Sequence, residues 1–150
     1  MNLFAHRWLN RVHRGVLKLT RGHLGWTIGA MPVVQLTTVG RTTGAPRSVM
    51  LTAPVHDADR YVLVASRGGD PRHPQWYLNL VADPDVEVTV RGRTLRMHAR
   101  TATVKERAGL WPEIIAAYSG YARYQQKTTR EIPVVICEPR SPQPTGADTA

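Results

Sequence analysis

Three short stretches carry side chains able to hold an anionic aromatic ligand. In "TTVGRTTGAPRS", residues 37–48, Arg41 and Arg47 flank a turn bounded by Gly40 and Gly44, with the hydroxyls of Thr42 and Thr43 between them. A guanidinium fork matches phosphate and carboxylate oxygens, and glycine lets an anion approach the backbone closely. Such residues also occur in a simple solvated hairpin. In "ASRGGDPRHPQWYLNL", residues 65–80, Ser66, Arg67, Gly68 and Gly69 follow Ala65 and can form a backbone nest beside a cation. Ser66 can donate a hydrogen bond to a ring carbonyl or nitrogen, and Trp76 can wall a flat heterocycle or fill the core. In "AYSGYARYQQ", Tyr118, Tyr121 and Tyr124 recur every three residues, which places three phenols on one side of a helix or of successive turns. Phenols stack on aromatic ligands and donate hydrogen bonds or protons. Two basic loops at the ends of adjacent strands would converge, so a shared anionic site is a stronger reading than either loop alone.

Other chemistries lack their residues. The six histidines show no paired metal-ligand spacing with carboxylates or with the single cysteine, Cys137, which lies in the apolar run "VVICEP". There is no Gly-x4-Gly-Lys-Ser/Thr loop, no G-x-G-x-x-G between a strand and a helix, and no G-x-S-x-G elbow. Asp83 and Asp85 flank Pro84 and most simply end a helix. Chemistry in this chain therefore points to a bound organic cofactor.

The elements that must position these residues are short and β-rich. Residues 32–38, 48–55, 60–66, 86–90, 94–101 and 133–138 predict six strands, with turns at "HDAD" (56–59) and at Arg91-Gly92. Residues 74–83 predict a helix with Pro74 in its first turn, and residues 103–118 another, opened by a Thr103/Glu106 capping box. Strands mostly in hairpin order, with few helices between them, predict a small antiparallel barrel rather than a parallel doubly wound sheet. Residues 1–29 form a separate segment. Within it Phe4, Trp8, Val12 and Val16 recur at helical spacing over 3–19, with arginines mainly on other faces. Such a basic amphipathic helix can lie on an anionic membrane, dock on its own domain or act as a cleaved presequence. The Pro-rich tail, 140–150, predicts disorder.

Composition bounds the rest. A chain of 150 residues with 42% hydrophobic content is one domain of ordinary size, and no apolar stretch approaches the roughly 20 residues that span a bilayer. The formal charge of +9 is uneven, since no acidic residue precedes Asp57. That field attracts nucleic acid, an anionic lipid surface or a small anionic ligand. No RNP-like or helix-turn-helix pattern accompanies it, which argues against nucleic acid.

Taken together, "QLTTVGRTTGAPR", "VLVASRGGDPRHPQWYLNL", "WPEIIAAYSGYARYQ" and "REIPVVICEP" resemble the deazaflavin-dependent nitroreductase and quinone reductase family of actinobacteria. The resemblance runs from about residue 30 to residue 139. It implies a mainly β (α+β) fold, a split β-barrel related to flavin mononucleotide-binding oxidases, with short flanking helices. It implies reduced coenzyme F420 as hydride donor and a quinone, nitroaromatic or activated enone as acceptor. By the same resemblance Arg41, Thr42, Thr43 and Arg47 hold the coenzyme's phosphate and acidic tail, Arg67 contacts the phosphate, and Ser66 lies near the deazaflavin ring. Met50, Ala65, Gly68 and Trp76 complete the cofactor side, while Tyr118, Tyr121 and Tyr124 shape the acceptor side, with Tyr124 or Tyr121 as hydrogen-bond donor. Thr42 stands where the family often has a lysine, and Met50 where it usually has a proline.

The expected protein is thus a cytoplasmic oxidoreductase, monomer or homodimer, with a route to the inner face of the membrane through residues 3–19. The alternatives are a split barrel using flavin mononucleotide and a non-catalytic F420-binding protein.

Overall fold

The computed structural model describes residues 27–28 and 31–140. Eight strands and three helices follow in order: β1 Thr27–Ile28, β2 Met31–Val39, β3 Pro46–Thr52, β4 Val55–His56, β5 Tyr61–Val64, α1 Gln75–Ala82, β6 Asp85–Val90, β7 Arg93–Thr101, α2 Val104–Ala117, α3 Gly120–Gln126 and β8 Val134–Pro139. All strand pairings are antiparallel, in the order β1-β2-β6-β7-β8-β5-β4, with β3 also paired to β2. No pairing joins β3 to β4, so the sheet curls without closing and the barrel is split. Among the described residues no helix is long and apolar enough to cross a membrane.

The inner strands are apolar on both faces because a core lies on each side of them. In β5 and β8 the side-chain period of two sends Leu63, Val135 and Cys137 to the barrel interior, with Trp76 and Leu80 of α1. It sends Val62, Val64, Val134 and Ile136 to a second core under α2 and α3, with Leu110, Ile114 and Tyr121. Cys137 is fully buried and its thiol is pushed up to about 12 by that burial, so it packs and does not react.

Local chemistry explains where the predicted boundaries shift. The expected strand 48–55 breaks into β3 and β4 around Pro54, which has no N–H to give a ladder, while Ala53 donates to the Pro32 carbonyl. Arg91 and Gly92 both take positive φ in the tight turn between β6 and β7. Thr103 and Glu106 close the expected capping box of α2. Pro74, expected inside the first turn of α1, is instead its extended N-cap. The helix predicted over 3–19 lies outside the described residues, as does the tail beyond Arg140. Two corrections come at the edges: Thr27–Ile28, placed in a connection, pair with β2, and Arg140, placed in the tail, donates to the Met97 carbonyl at 3.0 Å.

Candidate cofactor and acceptor site

The two basic loops and the tyrosine triplet meet at one cavity of about 1010 Å³. Its first wall is the β2–β3 turn, closed by Gly40 N–H to the Ala45 carbonyl at 2.8 Å and Gly44 N–H to the Gly40 carbonyl at 2.7 Å. Arg41 pins this turn to α1. Its backbone N–H and Nη1 both donate to Asn79 Oδ1, at 3.3 and 2.8 Å, and its Nη2 donates to Gln75 Oε1 at 2.7 Å. Asn79 is buried, and its Nδ2 donates to Thr38 Oγ1 at 3.2 Å. Both acceptors of Arg41 are neutral amides, so its charge is oriented without being cancelled. Arg47, across the turn, has no ion pair among the described residues, and Thr42 and Thr43 are exposed beside it.

The second wall is the loop after β5. Ser66 has right-handed helical backbone (φ −75°, ψ −36°), and Arg67 and Gly68 are left-handed at φ 46° and 65°. Right-handed followed by left-handed residues form a backbone nest, a geometry able to hold an anion, and the Gly69 N–H closes the turn onto the Ser66 carbonyl at 2.9 Å. The Arg67 guanidinium donates to the His73 carbonyl at 3.2 Å and stands 4.0 Å from Asp70, the one acid among the cavity's lining residues. Gly69 has no substitute here: its φ is 84°, and a Cβ would lie 2.7 Å from the Tyr124 carbonyl.

The third wall is formed by the tyrosines, which do not share one helix. Tyr118 ends α2 in extended conformation, while Tyr121 and Tyr124 belong to α3. A Cβ on Gly120 would overlap the Tyr118 ring, so glycine is what permits this break. The Tyr121 ring stands edge-on to both neighbours, at 5.4 Å from Tyr118 and 6.2 Å from Tyr124. Tyr121 is buried, and its hydroxyl pairs with Thr52 Oγ1 at 2.9 Å. Burial raises the Tyr121 phenol's pKa, and burial together with the adjacent Tyr118 pushes that of Tyr124 up to about 12. Both phenols therefore stay protonated near neutrality, able to donate hydrogen bonds. Met31, Val33, Met50 and Val64 supply an apolar surface between these walls.

Arg41, Thr42, Thr43 and Arg47 all line this cavity, as do Met50, Ser66, Arg67 and Gly68. Trp76 does two things at once, lining the cavity and packing into the barrel core. All three tyrosines reach it. Ala65 does not: it is fully buried, its N–H donates to the Pro133 carbonyl, and its own carbonyl faces Arg130. Sequence reasoning missed Asn79, Gln75, Asp70 and Lys127. Asn79 had a signal, a lone amide inside the apolar helix "WYLNLVA". The others became visible only when distant segments met.

Comparison with known proteins gives concordant results. The family model for F420H(2)-dependent quinone reductase matches residues 8–139. An F420H(2)-dependent quinone reductase of Mycobacterium tuberculosis is 39% identical over 142 residues, covering 87% of this chain and 95% of that protein. A solved structure of an F420-H2 dependent reductase, FDR-A, superposes with a TM-score of 0.65 at 44% identity, covering 71% of this chain and 94% of its own. A second structure, described as a domain-swapped dimer, superposes with a TM-score of 0.68 at 37% identity, covering 88% of this chain and 98% of its own.

Proposed function

The chain belongs to the F420H(2)-dependent quinone reductase family, and from that premise we propose that it reduces a quinone in this cavity with reduced coenzyme F420 as the hydride donor. The observation that carries the reading is the division of one cavity into a cationic half and an apolar, phenol-lined half. The residues present fit the coenzyme. The nest at Ser66–Gly68 and the cations Arg67 and Arg47 suit its phosphate and acidic tail, Trp76 and Met50 suit a flat ring, and among the described residues no partner acid neutralises Arg47. Reduced F420 supplies a hydride, so the chain's own work is alignment, exclusion of water and charge stabilisation. The apolar surface of Met31, Val33 and Val64 excludes water beside the tyrosines. Tyr124 donates a hydrogen bond to the acceptor oxygen, where negative charge develops, and Tyr121 holds the triplet in place through Thr52.

Purified protein mixed with reduced F420 and a panel of quinones tests this by loss of the reduced coenzyme's absorbance. Turnover with a quinone is expected. Tight flavin mononucleotide binding without response to F420, or F420 binding without oxidation of its reduced form by any acceptor, would overturn it. Nitroaromatics and activated enones belong in the same panel, because a phenol donor serves a nitro or carbonyl oxygen equally. We further propose a homodimer, supported by the domain-swapped relative and tested by light scattering. Residues 3–19 are proposed to bring the site to anionic bilayers, tested by co-sedimentation with anionic vesicles.

A further inference from the structure

The loop that forms the nest is held from behind by Arg130, a residue outside the cavity lining. Arg130 Nε donates to the Asp70 carbonyl at 2.9 Å. Nη1 donates to the Ala65 carbonyl at 3.2 Å and faces His73 Nδ1 at 3.2 Å. Nη2 donates to the carbonyls of Ala65 at 3.2 Å and Ser66 at 2.8 Å. A guanidinium has five N–H groups, and these contacts use all of them. None is left for a ligand.

Consecutive carbonyls at Ala65 and Ser66 do not normally face one point, because neighbouring peptide units in extended chain alternate. Arg130 gathers them behind the right-handed to left-handed turn at Ser66, Arg67 and Gly68 that forms the nest, and the Gly69 N–H folds back to the Ser66 carbonyl at 2.9 Å. His73 completes the clasp as an acceptor, so its Nδ1 carries no proton; burial and the Arg130 charge both lower its pKa and keep the ring neutral. The clasp is tied in turn to the tyrosine helix, since Gln125 of α3 donates to the Arg130 carbonyl at 2.8 Å.

We propose that Arg130 is a positioning residue that preorganises the Ser66–Gly68 nest for the phosphate of the deazaflavin coenzyme without touching it. The inference rests on the functional reading above. It predicts a phosphate-specific defect: the nest's N–H groups lose their aim when the clasp is cut, while the apolar and aromatic surfaces that meet the ring stay in place.

The test is equilibrium binding, read by deazaflavin fluorescence, of oxidised F420 and of the same deazaflavin lacking phosphate and tail. Arg130→Gln is expected to weaken F420 by about tenfold or more while changing the phosphate-free compound by less than about twofold. Arg130→Lys keeps the charge but has no planar fork to bridge three carbonyls, and is expected not to restore affinity. Should Arg130→Gln not fold, Arg130→Lys carries the same comparison. Equal loss for both ligands, unchanged F420 affinity, or full rescue by lysine would each overturn the proposal. Wild-type protein that binds neither ligand would overturn the functional reading and this inference with it. Wild-type binding that Arg130→Gln leaves intact overturns this inference alone.

Discussion

Asn79 accepts two hydrogen bonds from Arg41, one from the backbone N–H at 3.3 Å and one from Nη1 at 2.8 Å, through a single oxygen. The pair couples a turn of the sheet to a buried amide 38 residues away, and it orients a cation without neutralising it. Two substitutions separate these effects. Asn79→Asp keeps the acceptor but adds a charge under Arg41, and is expected to weaken F420 binding by about tenfold with a steep salt dependence. Asn79→Ala leaves the Arg41 N–H and Thr38 hydroxyl without this partner and is expected to cost about 1–3 kcal/mol in thermal or denaturant unfolding. Retained affinity in Asn79→Asp would mean that Arg41 serves the fold and not the ligand.

Arg47 is the cleaner test of the acidic tail, because no protein group among the described residues shares its charge. Arg47→Ala is expected to raise the Michaelis constant for reduced F420 by about tenfold at low salt and leave kcat within about twofold. The difference should shrink as salt rises. An unchanged Michaelis constant would remove Arg47 from the tail site.

The sequence made most of the strands, the two longer helices and most of the cavity-lining residues of the two loops and the tyrosine triplet legible, because each announces itself locally. Alternation marks strands such as Asp85–Val90, paired glycines mark the loops, and the tyrosine spacing marks one wall. What it hid depends on long-range approach. Nothing near Arg130 in the chain shows that it meets Ala65, about half the chain away, or that Thr52 meets the Tyr121 hydroxyl. Ala65 was misplaced for the opposite reason: adjacency to Ser66 does not make a neighbour point the same way.

The two inner tyrosines differ in what their hydroxyls already do, so phenylalanine should separate them. Tyr121→Phe breaks the bond to Thr52 and is expected to cost about 1 kcal/mol of stability with little change in kcat. Tyr124→Phe is expected to reduce kcat by at least about tenfold with a smaller change in coenzyme affinity. Ultraviolet difference titration of the ligand-free protein should show the Tyr124 phenol ionising only near 12. Ionisation at the ordinary 10 would contradict the packed triplet.

The acid limit of stability should be set in part by the junction of β7, β8 and α2. Arg100 reaches Glu106 through two bonds, at 2.8 and 2.9 Å, and Glu138 at 3.0 Å, while Glu106 also accepts from the Thr103 N–H. The Arg100 bonds, then that N–H, pull the Glu106 carboxyl down from 4.5 to about 2. Because the folded pKa is depressed, the folded state binds fewer protons than the unfolded chain between these values. The stabilisation is fully present above 4.5 and is lost as pH falls toward 2. Glu106→Gln should therefore melt below wild type at neutral pH, and the gap should close progressively across that acid window. Thr103→Ala, which removes the cap acceptor, is expected to cost about 1 kcal/mol at neutral pH. A gap in melting temperature between Glu106→Gln and wild type that stays constant down to the acid limit would show that Arg100 and Glu106 are neighbours without being coupled.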